Sequence, residues 1–83
     1  MALKNPNIFP QFCVYVWKEV QRPNGEWDSD CHCADKFDNE PEAYALYESI
    51  RIRDNVVEVD LEKDNGTYII PLRHKDTAGE YIY

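Results

Sequence analysis

Two stretches of strand-like alternation bracket one stretch of helical spacing. From Phe12 to Gln21 and from Glu26 to Phe37 the chain is rich in Val, Tyr, Trp and Phe, and Pro23-Asn24-Gly25 joins the two runs as a hairpin signal. A two-residue Asn24-Gly25 turn would put Pro23 at a ladder position whose rung needs an N–H that proline lacks. A three-residue turn is therefore predicted, with Pro23 at its natural φ and Gly25 in the left-handed bulge position. That register pairs Arg22 with Glu26 and Lys18 with Asp30, whereas the two-residue register sets Glu19 against Asp30.

Asp38 to Arg51 is predicted to be the helix. Asn39 and Glu42 form a capping box, Pro41 falls in the first turn, and Ala43, Leu46, Tyr47 and Ile50 recur at i, i+3, i+4 and i+7. Glu40, Glu48 and Arg51 belong to its solvated face. Val56 to Glu62 and Thr67 to Arg73 then read as a second hairpin across a two-residue Asn65-Gly66 turn, with Val59 opposite Leu72, Leu61 opposite Ile70 and Glu58 opposite Arg73. Val57, Val59, Leu61, Ile70 and Leu72 share one face in this register, and Pro71, on the other, implies a sheet edge or a bulge.

The expected fold is α+β in the order ββαββ, a four-stranded antiparallel sheet packed on one helix. Residues 1–11, with prolines and no periodicity, read as an arm whose possible anchors are Ile8 and Phe9. In the tail, residues 76–83, the stretch Glu80 to Tyr83 can add a short fifth strand or hang free. The 83 residues are expected to form one small domain with a thin core.

Charge narrows the partners. Sixteen acidic against nine basic side chains give a net charge of -7, which disfavours direct contact with nucleic acid or an anionic membrane and favours a basic or charge-indifferent protein surface. The longest apolar run, Cys13 to Trp17, is far too short for a membrane helix, and no Lys/Arg-led apolar leader opens the chain, so a cytoplasmic location with three free thiols is expected.

The stretch Asp28 to Lys36, DSDCHCADK, holds the residues most suggestive of chemistry. In an extended strand Cys31 and Cys33 point one way and His32 the other, so one ion cannot take all three. Cys13, expected to face Asp35, would join the two thiols on a face with Tyr15, Trp17 and Trp27. Buried structural cysteines are the plain reading there, and a zinc or thiol-active site on Cys13, Cys31 and Cys33 is the alternative. His74 reads as a surface residue closing the second hairpin. No nucleophile elbow or base-nucleophile pair is evident, so neither an enzymatic role nor a cofactor is expected.

Two features point to protein binding instead. Glu58, Asp60 and Glu62 alternate outward along one strand, roughly 6.6 to 6.8 Å apart, about twice the 3.4 Å axial charge spacing of one DNA strand. Solubility alone also accounts for such charges. The first hairpin is apolar on both faces, with Phe12, Val14, Val16 and Ala34 on one and Cys13, Tyr15, Trp17, Trp27, Cys31 and Cys33 on the other, and one helix cannot cover both. Tyr15, Trp17, Trp27, Glu58, Asp60 and Glu62 are thus the candidate contact residues. Small size, acidity, an α+β frame and the lack of catalytic motifs resemble the general type of phage or mobile-element inhibitor of host nucleic-acid machinery, anti-CRISPR proteins among them. That resemblance implies an inhibitor or modulator occupying a basic or nucleic-acid-binding surface of a larger protein. A homodimer formed through the aromatic hairpin face is the structural alternative.

Overall fold

The computed structural model describes residues 3–83; the first two residues of the arm lie outside the described residues. Strands β1 (Gln11–Gln21) and β2 (Trp27–Phe37) lead into helix α1 (Glu40–Ser49), followed by β3 (Val56–Asp64), β4 (Ile69–Asp76) and β5 (Gly79–Ile82). All five strands form one antiparallel sheet in the order β2-β1-β3-β4-β5. The tail is therefore a paired fifth strand, joined to β4 by a tight turn in which the Asp76 carboxylate accepts from the Ala78 N–H at 2.8 Å.

The first turn forms as its chemistry requires. Gly25 sits at φ +88°, its N–H donates to the Arg22 carbonyl at 2.9 Å, the Arg22 N–H donates to the Glu26 carbonyl at 2.8 Å, and Lys18 faces Asp30. The charge pairing differs from the expected one, because Arg22 reaches both Asp28 and Asp30 at 2.9 Å and clamps the β2 end.

Each of the inner ladders contains a bulge, and the bulges decide which residues face which layer. In β2 the extra residue is Ala34, so Cys13 faces Lys36 rather than Asp35, and Phe37 comes opposite Phe12 and into the core. In β3 it is Val57, so Val56, not Val57, packs beside the core. In β4 it is Leu72. The second hairpin accordingly departs from the expected register: its loop spans Asn65 to Tyr68, Leu61 faces Arg73, Val59 faces Lys75, and Glu58 faces Asp76. Asn65 explains the longer loop, because its side chain accepts from the N–H groups of both Thr67 and Tyr68 and so closes a wider turn than Asn-Gly alone would. Pro71 lies beside this bulge and beyond the reach of β5 pairing, where its missing N–H breaks no rung.

The helix starts at Glu40, with Asn39 as its N-cap, accepting from the Glu42 N–H at 3.0 Å and donating to the Glu42 carboxylate at 2.8 Å. It ends at Ser49, two residues short of the expected end, since β-branched Ile50 takes an extended conformation. Ala43 and Tyr47 are fully buried on Phe12, Val14, Phe37, Val59 and Leu61, with Tyr44, Leu46, Ile50, Ile52, Val56 and Leu72 around them. A ten-residue helix is only about 15 Å long, whereas an eleven-residue strand runs about 37 Å, so α1 covers one end of the first hairpin and leaves the rest of β2 exposed. The arm is anchored by Gln11, which donates to the carbonyls of Pro6 and Ile8 at 2.8 and 3.2 Å; Ile8 is exposed, and Phe9 rests against Gly66.

Truncating Leu61 to Ala removes a fully buried side chain between sheet and helix and is expected to cost about 2–5 kcal/mol. Trp27→Ala, at the exposed hairpin tip, should stay within about 0.5 kcal/mol. Urea unfolding monitored by circular dichroism measures both, and equal losses would mean that the core is not where Leu61 and Tyr47 meet.

Candidate functional site

Alternation along the central strand creates the site. Phe12, Val14 and Val16 point to the helix, so Tyr15 and Trp17 must point to the opposite face, where β3 sets Asp60 beside Tyr15 and Glu58 beside Trp17. There they line an open groove of about 550 Å³ together with Cys31, Glu62, Pro71, His74, Tyr83 and, at its margin, part of Arg73. Of the sequence-predicted contact residues, Tyr15, Trp17, Glu58, Asp60 and Glu62 thus come together. Trp27 does not: it lies four strand residues beyond Cys31, about 14 Å along β2, and is 66% exposed.

Arg73 also departs from expectation. The Leu72 bulge turns Arg73 and Lys75 to the helix side, where Arg73 stacks over the Tyr44 ring at 4.3 Å and Lys75 over the Tyr47 ring at 4.6 Å. Lys75 also donates to the Tyr47 carbonyl at 2.8 Å, and the Tyr47 hydroxyl donates to Glu80 at 2.9 Å, fastening β4 and β5 to α1. Among the described residues, Arg73 pairs with Glu80, and neither it nor Lys75 forms an ion pair with the β3 carboxylates.

Their partner is His74. Its Nδ1 lies 2.7 Å from Asp60 Oδ1 and 3.5 Å from Glu58 Oε2, and its Nε2 lies 2.7 Å from Asp76 Oδ2. A residue read from sequence as an unremarkable surface histidine is thus held by acidic groups on three sides. The signal was present as His-x-Asp on β4 facing Glu-x-Asp on β3, but it becomes visible only in the observed register. The hydrogen bond to Asp76, reinforced by Asp60, raises the His74 pKa above its ordinary value, and the same bond lowers that of Asp76. Partial burial, then the adjoining Asp60 carboxylate, pushes Glu58 up to about 7; burial and Asp60 raise Glu62 as well.

Of the three cysteines expected to be buried and structural, only Cys13 is so placed, because the helix and arm do not reach the edge strand that carries Cys31 and Cys33. Cys13 is buried, Cys31 and Cys33 are exposed at the sheet edge, and burial raises the pKa of all three, with Asp60, Glu62 and Glu58 adding to the rise at Cys31. Among the described residues their sulfurs do not converge as a metal-ligand set; Glu58, Asp60 and His74 do. Burial and the Cys13 thiol push the Tyr15 phenol up to about 12, so it presents a neutral hydroxyl to the groove.

His74 and Glu58 make stability pH-dependent with the same sign. Each holds its proton more tightly folded than unfolded, so folding is favoured at the acidic end and loses that support as pH rises through the shifted values. The Glu58 contribution changes from its ordinary value of 4.5 to about 7, and that of His74 fades above 6.5. Thermal melts in chelator-containing buffer should show Tm falling across about pH 5 to 8, with Glu58→Gln flattening the lower part and His74→Gln the upper. A Tm that climbs through this interval would contradict the arrangement.

No family model, curated protein or solved structure matches the chain, so its functional reading rests on the geometry of this groove.

Proposed function

We propose that the protein is a non-enzymatic binding protein whose groove receives a basic segment of a larger protein, one of those surfaces that otherwise grips nucleic acid, and thereby inhibits or modulates that partner. The observation that carries this reading is the row of Glu58, Asp60 and Glu62 along the groove floor, in which His74 meets the first two, no ion pair to Arg73 or Lys75 is formed among the described residues, and Tyr15, Trp17 and Tyr83 stand alongside. Carboxylates beside aromatic faces suit Lys and Arg in two ways: charge attracts the head group, and the ring faces take cation and aliphatic stem together. The spacing of that row supports competition with a phosphate backbone, the mode of action of phage-type inhibitors of nucleic-acid-processing complexes. The same charges disfavour a homodimer through this face, because two grooves set against each other would oppose like-charged rows.

Binding to a Lys/Arg-rich nucleic-acid-binding protein, measured by displacement of labelled duplex DNA, should weaken with added salt. It should weaken by about tenfold or more in Glu58→Gln/Asp60→Asn/Glu62→Gln, equivalent to ~1.4 kcal/mol. Glu40→Gln/Glu48→Gln, equal in kind but on the exposed helix face, should change it little. Equal losses in both variants would reduce the effect to net charge and defeat the groove as the binding surface.

A further inference from the structure

The geometry points to a divalent transition-metal site formed by Glu58, Asp60 and His74 at the floor of the groove, the kind of site that Zn2+ fills. Each residue offers one donor atom, and the three atoms lie within 4.8 Å of one another. Metal–ligand bonds of 2.0–2.1 Å place the donors of a tetrahedral site about 3.3–3.4 Å apart. The Glu58–His74 separation of 3.5 Å already matches that edge, and the Asp60–His74 separation of 2.7 Å needs to open by only about 0.6–0.7 Å, a side-chain rotation.

Histidine distinguishes this cluster from a patch of surface carboxylates. The far nitrogen of His74, Nε2, lies 2.7 Å from Asp76; with Nε2–H donating to that carboxylate, the ring aims Nδ1 at Glu58 and Asp60, and a bound ion would replace the proton that Nδ1 shares with Asp60. A metal-bound imidazole is oriented in this way, its second N–H held by a carboxylate that is not itself a ligand. All four residues stand on two paired strands: Glu58 and Asp60 alternate on β3, His74 faces Asp60, and Asp76 faces Glu58. The backbone therefore sets their spacing before any ion arrives. With the protons on Glu58 and His74 displaced, two carboxylates and a neutral imidazole carry two negative charges, which a divalent ion cancels.

One nitrogen among three donors suits a borderline ion better than Ca2+ or Mg2+, which call for six or more oxygens. The remaining coordination position is left for water or for a side chain that a partner brings into the groove, which Trp17 and Cys31 also line. The inference is independent of the proposed partner class, because the ion is bound by the chain alone.

Calorimetric titration of zinc sulfate into chelator-stripped protein is expected to show one Zn2+ per chain. His74→Gln and Asp60→Asn should each abolish binding or weaken it at least 100-fold, and Asp76→Asn should weaken it about 10- to 100-fold through loss of ring orientation. Circular dichroism of each variant establishes that it is folded. Cys31→Ser/Cys33→Ser should bind as the wild type does, and Co2+ substitution should give visible d–d bands without the near-ultraviolet sulfur charge transfer of a thiolate site. Absence of stoichiometric zinc, retention of wild-type affinity in folded His74→Gln, or loss of binding in the Cys31/Cys33 variant would each overturn the assignment.

Discussion

The structure depends on the burial of one side of β1 by a single short helix. Phe12 and Val14, with Val59 and Leu61 from the next strand, pack with Ala43 and Tyr47 in the buried core. In a pleated strand that choice is binary, since sending the even residues of β1 inward sends Tyr15 and Trp17 to the far face. Among the described residues there is one helix, and the far face has no second layer. The core and the groove are two results of the same alternation, and a substitution that disturbed the first would displace the second.

The order of elements, the three-residue first turn and the helix cap were legible because each rests on chemistry within a few residues: the proline before Asn24-Gly25, or Asn39 with Glu42. The bulges were not legible. Nothing local at Ala34, Val57 or Leu72 marks the inserted residue; each arises from fitting two neighbouring strands and the helix at once. The errors followed directly. Strand alternation without bulges sets Cys13 against Asp35, Arg73 opposite Glu58 and His74 at the surface, whereas the observed register puts His74 among Glu58, Asp60 and Asp76. Trp27 was grouped correctly by face, but strand alternation says nothing about how far along the groove extends.

The acidic character of the chain has two separate structural uses. On the first hairpin, Arg22 gathers Asp28 and Asp30 and stiffens an otherwise exposed end of an edge strand, where charge also discourages pairing with another chain. On β3 partial burial, and then the closeness of Asp60, lets Glu58 hold a proton near neutrality. Net charge alone does not distinguish the two; their positions do.

The extra residue at Leu72 has a further consequence. Were β4 to continue in the register of Asp64–Ile69, Asp60 would face Arg73 and Glu58 would face Lys75, and the groove floor would close into paired ions. The bulge instead sorts the two signs across the sheet, with cations under the helix rings and anions in the open. Drawing Leu72 into the ladder opposite Leu61 would thus do what no single charge substitution does, neutralising the groove while leaving every charged residue in the chain.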